Sequence, residues 1–276
     1  MKPIVEKSNK KAAFTIVELL TIMSIIIILI SLVVPALNQV KRFAYRVKQK
    51  NQFHSIGVAI EAFNAEWDGY PESSPSTGPV QDCGAIKLCE AMVGRDLLGY
   101  DPTGMYNPNP ADLSARTLYL QLENANAYKL KCLYGNAPPP LRELHVLCDE
   151  YSKVTYNNPD LADRMNGKRV GMPVLYYKAN ASNTGHSKTE ADQGRSTYDY
   201  RDNHMLVGFG MPWMTPPPPN PASTHKLFQN PDLFYQKTVN EKVTISRPHR
   251  ADSYILFSAG YDGDYGTDDD IFNFKE

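Results

Sequence analysis

Five aspartates fall within nine residues near the C-terminus, in a segment that also contains two glycines. These aspartates are Asp262, Asp264, Asp268, Asp269 and Asp270. Carboxylates at this density repel one another unless they are solvated or bound to a cation. Aspartate side chains and the backbone carbonyls of a Gly-rich loop are hard oxygen ligands, of which Ca²⁺ takes about six to eight. The spacing leaves two interpretations open, a calcium-binding loop and an exposed acidic turn without a metal.

A second acid, Glu18, is the one ionisable residue between residues 14 and 37 of a strongly apolar run. A helix of ~20 apolar residues spans a bilayer, and a carboxylate within it costs roughly 2.5–3.5 kcal/mol on insertion scales. Either Glu18 reaches the membrane edge, or a cation pairs with it. Cleavage between Ala13 and Phe14 would create such a cation, because the new ammonium of Phe14 would lie four residues away.

The sequence KKAAFTIVELL at residues 10–20, the apolar run and Pro35 resemble the N-terminal signal of type IV pilins and type II secretion pseudopilins. This resemblance implies that a prepilin peptidase cuts after Ala13 and that the amine of Phe14 is methylated. It also implies that Glu18 pairs with the N-terminus of a neighbouring subunit during assembly. Ala13 stands where the family usually has glycine.

The function that the resemblance implies is that of a structural subunit of a type II secretion pseudopilus or a type IV pilus-like filament. Its partners would be the prepilin peptidase, the inner membrane and other pilin-like subunits, in homo- and hetero-oligomers. The head would lie outside the cytoplasm on a single-pass anchor. The resemblance leaves secretion, motility and DNA uptake open. The alternative from another class is a membrane-tethered extracytoplasmic binding module.

The acidic segment carries a resemblance of its own. The Ser-x-Gly-x-Asp-Gly sequence of residues 258–263 at the end of a predicted strand, and the Asp-Asp pair before Ile271, resemble the calcium loop of major (G-type) pseudopilins. Carried over by position, the resemblance implies Ca²⁺ bound by the side chains of Asp262, Asp269 and Asp270 and the carbonyls of Ala259 and Thr267.

One long helix must position Glu18. After the transmembrane part at residues 14–37, apolar residues recur three and four apart at Phe53, Ile56, Ile60 and Phe63. This spacing is typical of one buried helix face. We therefore predict an amphipathic continuation over residues 38–68, a kink at Pro35, and an end at the Asp-Gly-Tyr-Pro sequence of residues 68–71.

The predicted fold class is α+β and pilin-like. The helix packs on a small antiparallel sheet, and the head at residues 69–276 carries long loop insertions. Residues 1–13, with four lysines and one glutamate, are predicted to be a leader peptide. Residues 85–93 are predicted to be a short helix, and residues 173–179, 242–246 and 253–257 are predicted to be strands.

The cysteines Cys83, Cys89, Cys132 and Cys148 show no C-x-x-C spacing, which argues against zinc. An oxidising compartment permits disulfides. The local pairing is Cys83–Cys89 with Cys132–Cys148, and buried free thiols are the alternative.

Charge and motifs argue against other functions. The net charge of −1 gives no signal for nucleic-acid binding, and the six scattered histidines have no partner at catalytic spacing. We therefore expect no enzymatic activity. A basic cluster follows the apolar run, and either a solvated helix face or contact with lipid headgroups or neighbouring subunits would account for it. Its members are Lys41, Arg42, Arg46, Lys48 and Lys50.

Overall fold

A computed structural model describes residues 15–76, 82–104, 113–160, 164–183, 185–186, 196–214, 220–243 and 246–274. The chain divides into two compact units, Met1–Ala44 and Tyr45–Glu276. Helix α1, Ile16–Trp67, is continuous in the chain from one unit into the other. The predicted leader at residues 1–13 lies outside the described residues.

In the first unit, α1 is apolar over more than twenty residues and exposes its large side chains to the surroundings. Pro35 lies inside the helix, which continues beyond it. Helix α1 is long and apolar enough to cross a membrane, and none of its most apolar window is buried in the protein. Exposed apolar surface on this scale is unusual for a monomer in water.

In the second unit, α1 buries one face. The predicted face residues Phe53, Ile56, Ile60 and Phe63 are all buried, as their spacing indicates. Burial begins only at Gln49, however, and Val47 stays 42% exposed. Tyr45 is partly buried against the same cluster, so the packed face within this unit extends from Tyr45 to Phe63. The helix ends at Trp67, as predicted, and Asp68 rather than Gly69 adopts the left-handed conformation (φ 52°).

Two buried glutamines fasten this part of α1 to the following chain. The Gln52 side-chain amide donates to the Cys148 carbonyl at 2.7 Å, and Gln49 accepts from the Glu150 N–H at 2.8 Å. Gln49 also donates to Gln52 at 2.9 Å. The pair therefore satisfies backbone groups that burial would otherwise leave without partners.

The remaining described elements are short. Strand β1 (Ala127–Lys129) pairs with β2 (His145–Leu147), and β3 (Val154–Thr155) pairs with β4 (Arg169–Val170). Strand β5 (Leu175–Lys178), β6 (Tyr254–Ser258) and β7 (Ile271–Phe272) form an antiparallel three-stranded sheet in that order. The helices are α2 (Gly84–Val93), α3 (Leu122–Ala125), α4 (Leu130–Leu133), α5 (Pro139–Arg142), α6 (His204–Gly208), α7 (Lys226–Gln229) and α8 (Asp232–Thr238), with 3₁₀ turns at Tyr200–Asn203 and Pro221–Ser223.

The three-stranded sheet is buried on both faces. Tyr176 and Leu256 belong to the apolar cluster that contains Ile56 and Ile60 of α1. Tyr177 and Phe257 belong to the opposite cluster, which includes Phe234 of α8. Because side chains alternate across a strand, the continuous apolar sequences of β5 and β6 can fill both clusters.

The fold is thus α+β, with a long N-terminal helix and small antiparallel sheets, in agreement with the α+β class predicted from the sequence. The predicted helix at residues 85–93 and strands at residues 173–179 and 253–257 are confirmed. The prediction of a strand at residues 242–246 was wrong for residues 242, 243 and 246, the part of this range that the structure describes. Residues 241–243 form a turn, and the Lys242 N–H bonds to the Asn240 side chain, which is local turn chemistry.

All four cysteines are buried free thiols in this structure. Burial raises the pKa of Cys83 to about 12, so this thiol is a poor nucleophile. Cys89 lies within α2 and Cys83 immediately precedes that helix. Six residues of helix rise about 9 Å, which exceeds the Cα separation of about 7 Å that a disulfide tolerates. The Cys83–Cys89 pairing is therefore incompatible with an intact α2.

Asp149 and Asp202 are both buried in the second unit. Asp149 accepts from the Ser258 hydroxyl at 2.7 Å and from the Met172 N–H at 3.0 Å. Asp202 accepts from the Ser73 hydroxyl. Burial raises the pKa of each carboxyl group to about 7. The folded protein therefore binds protons that the unfolded chain releases between pH 3.8 and about 7.

We predict that Gln52→Met destabilises the fold by about 1–3 kcal/mol, because the Cys148 carbonyl and the Gln49 amide lose their partner in a buried site. Chemical denaturation of the full chain in detergent measures this free energy of unfolding. Asn51→Met, at the exposed neighbouring position, is the control and should change it by less than about 0.5 kcal/mol. Equal effects of the two substitutions would contradict the stabilising role of the Gln52 hydrogen bonds.

We also predict that the free energy of unfolding falls as pH rises from about 4 to about 7, since the raised pKa values disfavour ionisation in the folded state. Asp202→Asn should flatten this dependence by an amount of up to about 4 kcal/mol, and the exposed Asp252→Asn should not. Denaturation curves across this pH range test the sign. Stability that rises with pH over the same interval would show that these carboxyl groups are ionised when folded.

Candidate functional site

The start of α1 is organised by Thr15 and Glu18. The Thr15 N–H and hydroxyl donate to Oε2 of Glu18 at 2.9 and 2.8 Å. The Glu18 N–H in turn donates to the Thr15 hydroxyl at 3.2 Å. This reciprocal arrangement is a capping box, which satisfies free N–H groups at the helix N-terminus. Glu18 therefore has a local structural role besides any role toward a neighbour.

The other two residues predicted at this end, Ala13 and Phe14, lie outside the described residues. No distance between the predicted amine of Phe14 and the Glu18 carboxylate can therefore be given. What is described is an exposed Glu18 followed by apolar side chains that are also exposed. The sequence contained the signal for the cap, because Thr-x-x-Glu before an apolar run is its usual pattern. Our sequence interpretation did not include it.

The acidic segment forms a tight loop between β6 and β7. Gly260 has φ +67°, and a Cβ there would lie 2.1 Å from the carbonyl oxygen of Asp269. Only glycine permits this conformation and this approach. Residues 260 and 269 therefore cross at the neck of the loop, which brings the predicted ligands at both ends into one region.

Asp262 and Asp269 contact each other within the loop. The Asp262 N–H donates to Oδ2 of Asp269 at 2.9 Å, and the Thr267 hydroxyl donates to Oδ1 at 2.9 Å. Burial acts to raise the pKa of Asp269, but these donors outweigh it and lower the pKa. Burial, with the nearby Asp269, raises the pKa of Asp262 to about 6. Internal donors therefore stabilise the charge of Asp269.

Asp270 has a different partner, Lys237 of α8. The Lys237 ammonium lies 3.2 Å from Oδ2 of Asp270 and also donates to the carbonyl of Thr267. The Asp270 side chain is 1% exposed and that of Lys237 18%. The Gly266 N–H donates to the same carboxyl group at 3.0 Å. Burial raises the pKa of Asp270, and Lys237 acts in the opposite direction.

The remaining two aspartates of the segment, Asp264 and Asp268, lie in different environments. Oδ1 of Asp264 lies 3.1 Å from Nδ1 of the buried His225 and accepts from the Lys226 N–H at 3.0 Å. Asp268 is exposed. The structure thus brings Asp262 and Asp269 together and places Asp270 and Thr267 against a lysine. Asp264 instead contacts the N-terminus of α7.

These contacts do not fit a calcium ion in this conformation. Of the five predicted ligand groups, the Thr267 carbonyl and the Asp270 carboxyl group contact an ammonium, and Asp269 uses both oxygens for internal donors. Within the described ranges, no cluster of three or more His, Cys, Asp or Glu side chains is placed to hold a metal ion. Calcium binding stays a prediction that this geometry does not favour.

Lys237 was not identified from the sequence. It lies thirty-three residues before Asp270, and one lysine in a short helix carries no pattern that points to a carboxylate so distant in the chain. The contact depends on how α8 packs in the second unit, which only the tertiary structure establishes.

The basic residues that follow the apolar run do not act as one patch. Lys48 pairs with Glu150 at 3.2 Å and is 68% exposed. An exposed pair of this kind contributes little to stability. This pair tests neither interpretation of the cluster, a solvated helix face or contact with lipid headgroups or neighbouring subunits, so both stand.

Comparison with known proteins gives no relative. No family model matches the chain, and no curated protein or solved structure matches it.

Proposed function

We propose that this protein is a structural subunit of a pilin-like filament, either a type II secretion pseudopilus or a type IV pilus-like fibre. It would be made as a membrane-anchored precursor and cut between Ala13 and Phe14 by a prepilin peptidase. The head would then lie outside the cytoplasm. The apolar part of α1 would first hold the chain in the inner membrane and then pack against the same helix of neighbouring subunits.

The observation that carries this proposal is the exposed apolar part of α1 with Glu18 as its one charged group. An apolar surface without a partner in its own chain requires lipid or other subunits. A carboxylate on that surface is costly unless it is paired. A membrane anchor alone does not require the acid, whereas assembly through a neighbour's ammonium does.

The continuity of α1 adds support. The same helix that exposes apolar residues near Ile16 buries Phe53 and Ile60 in the core of the second unit. Cleavage after the apolar run would cut within one continuous helix. Cleavage before Phe14 instead leaves the entire helix in the mature chain, as a subunit that assembles through it requires.

Both bonds from Thr15 are made to Oε2 of Glu18. We assign Oε1 to the ammonium of the neighbouring subunit's Phe14. A carboxylate can accept several donors at once, so the cap and the intersubunit pair are compatible. In this arrangement, the cap fixes the side chain that sets the stagger between neighbours.

The test separates the charge of Glu18 from its capping role. Glutamine serves as well as glutamate at the third position of a capping box, so Glu18→Gln keeps the cap and removes the charge. We predict that this variant inserts into membranes at the normal level but yields no filaments. Filaments sheared from cells and quantified by immunoblot, with membrane fractions in parallel, measure both quantities.

Thr15→Ala is the matched variant, because it removes the cap and retains the acid. Loss of the cap costs about 1 kcal/mol of helix stability, which a membrane helix tolerates, and filaments should still form. Normal filaments from Glu18→Gln would refute the pairing. Loss of filaments in Thr15→Ala alone would show that capping, not charge, is what assembly requires of this end.

A further inference from the structure

We propose that the ammonium of Lys237, rather than a divalent cation, is the cation that holds the C-terminal loop in this protein. The loop concentrates five acidic side chains in nine residues, so its closed conformation requires positive charge or donors. Lys237 reaches two of the predicted calcium ligands, the carboxyl group of Asp270 and the carbonyl of Thr267. This inference does not depend on filament assembly.

The number of available oxygens favours an ammonium. Calcium takes about six to eight oxygen ligands, whereas a lysine ammonium has only three N–H donors to place. Two of these are accounted for by Asp270 and Thr267. The oxygens of Asp269 already accept from the Asp262 N–H and the Thr267 hydroxyl, so the loop is closed by internal donors.

The partial burial of Lys237 strengthens its contact with Asp270. The lysine side chain is 18% exposed, and the carboxyl group it contacts is 1% exposed. A partly buried ion pair is less screened than a surface pair, and removal of one partner leaves a buried group without compensation. The Gly266 N–H also donates to Oδ2 of Asp270, at 3.0 Å.

The consequence is a loop that is stable without calcium. A calcium ion at the predicted position would have to displace the ammonium from both Thr267 and Asp270. Lys237 therefore joins α8 to the β6–β7 loop. The integrity of the loop depends on Lys237 and not on the divalent cation concentration outside the cytoplasm.

The experiment uses the full chain in detergent, with thermal unfolding followed by tryptophan fluorescence. Trp213 is a local reporter, because a Cβ at Gly263 in the loop would lie 2.7 Å from its ring. We expect the same Tm in excess calcium and in excess EGTA. Lys237→Met should lower the Tm by about 5–10 °C, with no dependence on EGTA, and Lys237→Arg should lower it less.

Lys242→Met, at an exposed lysine of the same unit, controls for the loss of one positive charge and should leave the Tm unchanged. The double variant Lys237→Met/Asp270→Asn should regain part of the loss, since neither partner is then left alone. If Lys237→Met does not fold, the wild-type Tm in excess calcium and in excess EGTA still tests the proposal. A wild-type Tm that rises with calcium and falls with EGTA, or a Lys237→Met Tm equal to wild type, would overturn the proposal.

Discussion

The burial of one face of α1 against the β5–β6 sheet is the interaction on which the second unit depends. Phe53, Ile56 and Ile60 share a cluster with Tyr176 and Leu256, and each fully buried side chain of this kind contributes roughly 1.5–3 kcal/mol. The same helix is exposed and apolar nearer its N-terminus. One continuous helix therefore contributes to the core of the second unit and also carries an exposed apolar surface.

The end of the chain is fixed by polar contacts in addition to the apolar burial of Tyr265, Ile271 and Phe272. Asp149 accepts from Ser258 at the end of β6, and the Gly260 N–H donates to the same hydroxyl at 3.2 Å. Lys237 then holds the far side of the loop through Asp270. Together these contacts orient a densely acidic segment through donors and an ammonium that the chain itself supplies.

Patterns that are local in sequence predicted local structure well. The spacing of Phe53, Ile56 and Ile60 identified the buried face of α1, and the apolar sequences of β5 and β6 identified the central strands. The calcium prediction rested on a run of aspartates, whose partners no local pattern reveals. Lys237 and the Gln49–Gln52 pair act across long separations in the chain, so only tertiary packing could identify them.

The central claim is that Glu18 meets a positive charge that proteolysis creates at Phe14. Mass spectrometry of the intact protein from membranes of its own cells tests this claim most directly. The account predicts a chain that begins at Phe14, with a mass that also reports methylation of its amine. A chain that retains Met1 and the basic leader would contradict it, because the counter-charge would not exist, and it would favour a membrane-tethered binding module.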